Sequence, residues 1–530
     1  MTRFSTRLFL ATLLCGAALA LPAAAKPFKW ANDLDTTTMD PYARNVTFNF
    51  SFNGQVYEGL TRRDKNLKLE PSLATEWKLV KPDTWRYTLR RGVKFHDGSP
   101  FNADDVVFSY QRATGPGTNM QGYFGTVKEV VKVDDFTVDI VTKIPDPILP
   151  DTLNYWFMMS KAWAAKNNVT RIADLSKNEE NYAVLNANGT GPFILKSRQP
   201  DVKTVMVNNP DWWDKKIEHN LTEVTYERLQ SAQTRVAALL SGSTDMIYSV
   251  PTQDVDRLKG TKGLKVFETP ETRTVYLDLD QAKDELVGSD VKGKNPFKDI
   301  RVRKAMSMAM DRDAIVARVM EGMAAKSTQM MPEGFGGFDP NYEGVKYDID
   351  GAKKLLTEAG YPDGFHMTIH CSNNRYLNDG KTCQAAGQML SRIGLKMKVE
   401  TMPVNVFFPK IAAPKSEFSL ILMGWGNSST GTASGFLAAI LHSYDPAKRM
   451  GHANRAYFSD PAYDAMAEDA LVEVDPAKRE QKMRAAIRYA TETYVTIPLH
   501  TLYTALATRK GLRVETRKDE MTIAMAVHPE

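Results

Sequence analysis

Bulky and polar residues alternate in the first third of the chain, and this alternation predicts β-strands. Residues 84–90 have period two, and residues 93–95 resume the pattern after a turn. Asn102 then precedes residues 103–110, which begin with acidic groups as a capped helix does. Residues 136–141 predict a further strand. This part of the chain is therefore expected to mix strands and helices.

Further along, apolar residues recur at helical spacing and in short strand-like runs. The clearest unit is a strand at 366–370, a helix at about 380–393 and a strand at 396–400, an order that predicts parallel pairing. The other predicted elements are helices at 301–320, 350–360, 463–472 and 477–494, and strands at 418–425 and from 497. The sequence therefore predicts an α/β fold.

The composition is that of a globular protein. The chain has 530 residues, of which 43% are apolar and 25% charged, and its formal charge is only +5. These values exclude intrinsic disorder, and with no long basic run they argue against nucleic-acid binding. The length suggests about two to four lobes. Because no low-complexity linker divides the chain, we expect two α/β bodies joined by crossing strands, with a ligand cleft between them.

Residues 1–25 have the features of a secretory signal. Two arginines precede an apolar run at 8–21, and small residues end the segment at Ala25. The run is shorter than the ~20 residues that span a bilayer. We expect cleavage after Ala25 and a soluble exported protein. Lipidation at Cys15 is the alternative, although Leu14 is bulkier than the usual preceding residue.

Cleavage leaves two cysteines, Cys371 and Cys383. In an oxidising compartment an even pair favours a disulfide, here across a short loop. Two separate thiols stay open as an alternative, because spacing alone does not bring the Cα atoms within ~7 Å. No metal site is predicted: zinc usually takes four ligands, and His366 and His370 lie about 13 Å apart on a strand.

Short motifs occur in order along almost the whole chain after residue 25. They are Asp33 to Pro41, Val56 to Leu60, Pro71 to Trp77, Tyr87 to Gly98, Ala103 to Val106, Gly189 to Phe193, Val302 to Ala305, Ala309 to Arg312, Met423 to Trp425 and Ile497 to Leu499. Each motif alone is weak evidence. The ordered set resembles the dipeptide, oligopeptide and nickel branch of the substrate-binding proteins of ABC transporters, bacterial extracellular solute-binding protein family 5.

The resemblance implies a two-lobed periplasmic binding protein-like fold of type II. Lobe I would contain residues 26–270 and 496–530, with an extra subdomain at about 60–180, and lobe II would contain residues 271–495. Ligands would bind in the cleft between the lobes.

The resemblance also implies how such a receptor works. The chain would cross between the lobes near 267–276 and 494–503, and the lobes would close on a peptide or a peptide-sized polar solute by a population shift. A monomeric receptor in the periplasm would then deliver the unaltered ligand to ABC permease subunits in the inner membrane. No cofactor and no enzymatic activity are implied, and the chain has no phosphate-binding loop of its own.

Two positions bear on the ligand. In dipeptide-binding relatives an Arg before Tyr holds the peptide carboxylate, and Arg375 before Tyr376 matches it. A solvated Arg, or a structural Arg paired for example with Asp379, is the alternative. The acid that such relatives place shortly after Gly-Trp, to pair with the peptide amine, is missing here, since no acid follows Trp425 before Asp445. Ordinary peptide binding therefore requires another carboxylate.

The hydroxyls and the amide at Asn427, Ser428 and Ser429 suit neutral or anionic groups, such as those of sugars, modified peptides or opine-like conjugates. Trp425 is expected to stack on the ligand, or else to end a buried strand. Weaker candidates for ligand contact are Met39, Tyr57, Tyr444 and His500. An exported hydrolase that uses cleft carboxylates, or a sensor or chaperone on the same fold, are the competing function classes.

Overall fold

The computed structural model describes residues 26–177, 179–217, 219–412, 416–426, 431–519, 521 and 523–529. In chain order, the strands of the described residues are β1 (Lys26–Asn32), β2 (Thr61–Arg63), β3 (Leu69–Pro71), β4 (Ala74–Lys81), β5 (Thr84–Leu89), β6 (Val127–Asp134), β7 (Thr137–Thr142), β8 (Phe193–Gln199), β9 (Lys203–Asn208), β10 (Leu221–Arg228), β11 (Met246–Tyr248), β12 (Leu264–Leu279), β13 (Ala324–Lys326), β14 (His366–Ser372), β15 (Lys396–Met402), β16 (Leu420–Gly426), β17 (Thr496–Arg509), β18 (Leu512–Val514) and β19 (Val527–Pro529).

The α-helices are α1 (Thr47–Asn53), α2 (Ala103–Thr114), α3 (Leu149–Thr152), α4 (Lys161–Lys166), α5 (Tyr182–Leu185), α6 (Ala232–Ser241), α7 (Thr252–Lys259), α8 (Ile300–Met308), α9 (Arg312–Ala314), α10 (Ile349–Glu358), α11 (Asp379–Ser391), α12 (Val404–Lys410), α13 (Pro461–Val472) and α14 (Pro476–Glu492). The π-helical segments are Ile315–Val319 and Phe436–Leu441. The 3-10 turns are Gln121–Phe124, Leu153–Tyr155, Leu175–Lys177, Pro296–Lys298 and Ala524–Ala526.

Most predicted elements are confirmed, and the capping chemistry explains where they begin. The Asn102 side chain accepts a hydrogen bond from the Asp104 amide at 2.8 Å, and the Asp105 carboxylate accepts one from the Asn102 amide at 3.1 Å. This capping box starts α2 at the predicted position. The predicted βαβ unit is present as β14, α11 and β15, with β14 and β15 parallel. Residues 93–95, in contrast, form no strand and make only an isolated bridge from Lys94.

The single helix predicted at 301–320 is wrong. α8 ends at Met308, and a new turn starts after Asp311, whose side chain accepts from the Ala314 amide at 2.9 Å. The buried Arg312 guanidinium turns away from solvent and donates from Nε to the carbonyl oxygens of Ser327 and Pro498 at 2.9 and 2.8 Å. The apolar spacing across the break is therefore compatible with two shorter helical segments.

A mixed sheet has the antiparallel pair β12–β17 at its centre. The strands are hydrogen-bonded in the order β15-β14-β16-β12-β17-β11-β1-β10-β9-β8, and β13 also pairs with β17. β12 and β17 have 16 and 14 residues and pair with each other along most of this length. β12 also pairs with β16 on one side, and β17 pairs with β11 on the other, so together they join the two groups of strands. The crossing segments predicted at 267–276 and 494–503 fall mostly within these strands.

The apolar core is divided about the same crossing pair. One cluster is built from residues between 28 and 246 and between 506 and 527, and a second from residues between 275 and 502. The separate sheet β4-β5-β7-β6 packs on the first cluster. A third cluster lies between 276 and 495 but includes Leu67, so the two halves of the molecule are in contact.

A buried ion pair fixes the loop that follows β1. The Arg112 guanidinium on α2 donates to both oxygens of Asp40, at 2.7 and 2.5 Å, and both side chains are almost completely buried. Two parallel charge-assisted bonds hold the two groups in one relative orientation. Because the loop continues into α1, this pair also fixes the position at which α1 starts.

Asp278 on β12 is buried, and within the described chain neither of its carboxylate oxygens has a hydrogen-bond partner. Burial raises the pKa of Asp278 to about 7; the nearby Arg455 acts in the opposite direction, and Asp280 adds to the increase. The folded state therefore holds a proton at this site over a pH range in which the unfolded chain has lost it. Stability consequently falls as the pH rises from about 4 to about 7.

We predict that Asp278→Asn, which keeps the size but cannot ionise, stabilises the protein at pH 8 by roughly 2–4 kcal/mol, since each pKa unit corresponds to about 1.4 kcal/mol. The difference in the free energy of unfolding between the variant and the wild type should be smaller at pH 5 and should disappear near pH 4. Urea denaturation between pH 4 and pH 8 measures this difference. Asp284→Asn, at a fully exposed side chain, is the matched control and should show no such pH dependence. A constant difference at all pH values would contradict the prediction.

Candidate functional site

The sheet topology directs the carboxyl ends of two groups of strands toward the same place. β1 is parallel to β10 and β11, and all three run toward the crossing of β12 and β17. From the other side, β14 is parallel to β15 and β16, and these strands also run toward the crossing. Ligands of α/β proteins bind outside the carboxyl ends of the strands. We call the loops at 33–46, 249–251 and 373–378 the crossing edge.

A cavity of about 100 Å³ lies next to α1, between this helix and the C-terminal segment. It is lined by Phe50, Ser51, Gly54, Tyr57, Glu58, Gly59, Thr61, Arg62, Arg63, Ser72, Asn154, Tyr155, Phe157, Pro192, Trp212, Arg517, Met521, Ile523 and Met525. A second cavity of about 10 Å³, large enough for about one water, shares Arg517, Met521 and Ile523 and reaches Thr269 and Thr504 on the crossing strands. The two cavities therefore follow the C-terminal segment from α1 to the crossing.

The glutamate in the cavity wall is held by neutral donors. The Glu58 carboxylate accepts hydrogen bonds from the indole nitrogens of Trp212 and Trp213, at 3.1 and 2.8 Å, and from the Thr190 hydroxyl at 2.8 Å. Burial raises the pKa of Glu58 to about 7, although these donors favour the charged form. Glu58 thus contributes less than a full negative charge near neutral pH.

The arginines in the cavity wall are all paired with acids of the same chain. The pairs are Arg62–Asp214 at 2.7 Å, Arg63–Asp151 at 2.7 Å and Arg517–Asp519 at 2.6 Å. With these charges neutralised and aromatic rings on the remaining walls, the cavity suits an uncharged or apolar part of a ligand. A strongly charged ligand group would have to bind elsewhere.

The Arg375 loop follows β14 at the crossing edge and has a fixed backbone. One Asp379 oxygen accepts from the Ser372 hydroxyl at 2.7 Å and from the amides of Arg375 and Tyr376 at 2.9 and 3.2 Å. Cys371 and Cys383 form a disulfide that links the end of β14 to α11 on either side of this loop. The loop is therefore held at both ends and in its middle.

The Arg375 side chain itself is exposed. Asp379 accepts from the backbone of Arg375 rather than from its guanidinium, and in the described ranges no carboxylate pairs with that guanidinium. Its closest aromatic contact is with the Tyr376 ring, whose centroid is 5.1 Å from Cζ. The alternative in which Asp379 neutralises Arg375 is therefore not what the structure shows.

Tyr376 connects this loop to the strand that ends at Trp425. Its hydroxyl donates to the Gly424 carbonyl at 3.0 Å. Glycine at residue 424 permits this close packing, because a Cβ atom there would lie 3.0 Å from the Tyr376 ring and would force it to shift. Arg273 on β12 approaches the same ring, with Cζ 5.7 Å from its centroid. Two guanidinium groups thus share one aromatic ring at the crossing edge.

The other predicted contact residues are dispersed. Trp425 is half-buried beside Thr274, and Tyr57 lines the larger cavity but is almost fully buried. Met39 and His500 are completely buried, and burial lowers the pKa of His500 to about 4, which keeps it neutral.

Tyr444 is 48% exposed on a loop away from both cavities. Asn427, Ser428 and Ser429 lie outside the described residues. Ligand contact therefore stays a prediction for all of these residues.

Sequence reasoning missed Arg273 and its neighbour Glu271. Both lie within the segment predicted to cross between the lobes, and their side chains are only 12% exposed. The available signal was weak, because the same strand also contains Lys265, Glu268 and Asp278.

Among the described residues, no cluster of three or more His, Cys, Asp or Glu side chains is suited to hold a metal ion. The described part of the chain also contains no helix with the length and apolar character of a membrane span. His370 instead stacks on Phe418, with ring centroids 3.7 Å apart.

A sheet divided by two crossing strands, with the loops at the carboxyl ends of its strands facing one another, is an arrangement suited to binding a ligand. Residues 68–448 match the family model described as "Bacterial extracellular solute-binding proteins, family 5 Middle", and the chain belongs to this family. It is a substrate-binding component of an ABC importer, as the motifs predict, and the family is one of transport binding proteins rather than enzymes.

Individual relatives resemble the chain over nearly its full length. The glutathione-binding protein GsiB of Salmonella choleraesuis is 28% identical over 496 residues, which cover 92% of this chain and 91% of that protein. The structure of HbpA2 from Haemophilus parasuis has a TM-score of 0.80 and 24% identity, with 95% and 100% of the two chains covered. DppA from Helicobacter pylori, in complex with the peptide STSA, has a TM-score of 0.76 and 22% identity, with 95% and 98% covered.

We predict that replacing both Cys371 and Cys383 with serine lowers the free energy of unfolding by about 3 kcal/mol, the value expected for a loop of this length. The ligand affinity should fall as well, since the loop that carries Arg375 loses one of its restraints. Urea denaturation and titration calorimetry measure the two effects. Gln384→Ala, an exposed change on the same helix, is the control. An unchanged urea midpoint would contradict the prediction.

Proposed function

We propose that this substrate-binding protein captures a short peptide, or a peptide conjugate, that bears at least one free carboxylate. It does so as a monomer in the periplasm, after removal of residues 1–25, and presents the ligand unaltered to ABC permease subunits of the inner membrane. The observation that carries the ligand class is the exposed Arg375 guanidinium on a rigid loop, without a carboxylate partner in the described ranges.

The chemistry of Arg375 supports a carboxylate ligand. A guanidinium donates two parallel hydrogen bonds to a carboxylate, and the pair gains strength when water is excluded. Because the backbone of the loop is already ordered by Asp379 and by the disulfide, little entropy is lost when the side chain engages the ligand. A neutral sugar would leave this cation without a counter-charge.

The cavity supports a ligand that also has an uncharged or apolar part. Its arginines are neutralised by Asp151, Asp214 and Asp519, and aromatic and aliphatic side chains form much of its remaining wall. A peptide offers this combination, with a charged terminus and side chains of low polarity. The similarity to the glutathione-binding protein GsiB is consistent with this class, since glutathione is a tripeptide with free carboxylates.

We propose that the lobes are residues 26–270 with 496–530 and residues 271–495, with the extra subdomain at about 60–180. The division of the apolar core about β12 and β17 supports these boundaries. Closure would bring Arg375, which lies in the second lobe, toward the loops of the first. Asn378 already contacts Thr252 across the crossing edge, with Nδ2 to Oγ1 at 3.4 Å.

We predict that Arg375→Ala weakens the binding of glutathione by about 10- to 100-fold, the loss that corresponds to the roughly 1.5–3 kcal/mol of a charged hydrogen bond. Titration calorimetry measures it, with Arg392→Ala as a control at an exposed arginine on the far end of α11. Arg375→Lys should recover part of the affinity. Equal affinities of the alanine variant and the wild type would contradict the role of Arg375.

The same samples test the class of function. Mass spectrometry after prolonged incubation should recover the ligand intact, as expected of a receptor. Recovery of cleavage products would instead support the exported hydrolase. If the wild type binds a neutral sugar and no peptide, the proposed ligand class is wrong.

A further inference from the structure

The pairing of the two crossing strands is interrupted where they pass the crossing edge. Pro270 pairs with Tyr503, but the next partners are Thr274 and Thr501. The three residues at 271–273 therefore lie opposite a single residue, Leu502, and have no register partner on β17. Bulges of this kind are frequent beside functional sites, where they redirect side chains.

The bulge carries two opposite charges. The Thr504 hydroxyl donates to the Glu271 carboxylate, and the second carboxylate oxygen is 3.9 Å from Arg273 Nε, an ion-pair contact too long for a hydrogen bond. Arg273 extends to the Tyr376 ring, on which Arg375 also packs. One acid and two guanidinium groups thus meet within a small part of the crossing edge.

The position of Glu271 matches a requirement of peptide binding. A peptide ammonium that is buried without a counter-charge costs several kcal/mol, and the segment after Trp425 offers no acid before Asp445. The small cavity is bounded by Thr269 and Thr504 on the two crossing strands, and the Thr504 hydroxyl donates to Glu271. Glu271 therefore lies where a ligand between the two halves of the molecule would reach the crossing.

We infer that Glu271 and Arg273 are specificity-determining residues that bind the charged groups of the ligand. The Glu271 carboxylate accepts hydrogen bonds from the ligand ammonium, and Arg273, together with Arg375, donates hydrogen bonds to the ligand carboxylates. This inference rests on the proposed function and narrows its ligand class. One acid and two guanidinium groups match a short peptide with one free ammonium and two carboxylates, as in glutathione.

The proposed selectivity has an energetic reason: opposite charges on the ligand and on the site compensate each other. Two guanidinium groups beside one ring favour an anionic ligand group, and this attraction is strongest in a cleft from which water is excluded. The ammonium in turn would pair with a carboxylate whose side chain is only 12% exposed. Peptides that lack either charge lose this compensation, so the site selects against them.

The test is a double cycle of Glu271→Gln with N-acetylation of glutathione, which removes the ammonium. Titration calorimetry should show that Glu271→Gln weakens glutathione binding at least 10-fold, and that N-acetylation weakens binding to the wild type by a similar factor. The two changes combined should cost little more than either alone, because both remove the same contact. Glu271→Asp should fall between Gln and the wild type.

Glu268→Gln, an exposed position on the same strand, is the matched control and should leave both affinities unchanged. If Glu271→Gln weakens glutathione and N-acetylglutathione by equal factors, or weakens neither, Glu271 does not bind the ammonium and the inference is overturned. Thermal denaturation of each variant identifies a general loss of folding, which would affect both ligands equally. A wild type that binds no peptide at all would contradict the proposed function itself.

Discussion

The antiparallel pairing of β12 and β17 is the constraint on which the rest of the structure depends. Because the two strands run in opposite directions through both halves of the molecule, the strands beside them end at the crossing from both sides. The loops at strand ends, which carry most polar chemistry in α/β proteins, therefore face one another. An interruption of this pairing at 271–273 provides an acid and an arginine at the centre of that edge.

Electrostatics separates the functional surface from the structural interior. Arginines that hold the fold are paired with acids, as in Asp40–Arg112, or satisfied by carbonyl oxygens, as at Arg312. Arg375 differs because its loop is ordered through backbone bonds to Asp379, which leaves the guanidinium exposed. A side chain that is not needed to order its own loop is available for a ligand.

The sequence predicted the elements whose ends are determined by local chemistry. The Asn102 capping box and the βαβ unit at 366–402 are local patterns, and both are present as predicted. The helix at 301–320 was predicted in one piece because apolar spacing does not show that Arg312 turns inward toward carbonyl oxygens of distant segments. Glu271 and Arg273 were missed for a similar reason. Their location in a bulge is determined by strand pairing with residues more than 200 positions away, which the local sequence does not show.

The difference between local patterns and contacts of distant segments also explains why the candidate site could be only partly predicted. Arg375 and Tyr376 were recognisable as a pair of neighbours in the sequence, but the second guanidinium on the Tyr376 ring comes from β12, about 100 residues earlier. In the proposed site, ligand specificity would depend on two sources: a loop ordered by its own hydrogen bonds and disulfide, and a bulge ordered by the crossing strands. If closure moves the loop toward the first half of the molecule while the bulge stays at the crossing, a ligand that contacts both would be held best in the closed state. Differential contact of this kind is what allows a ligand to shift the population toward the closed state.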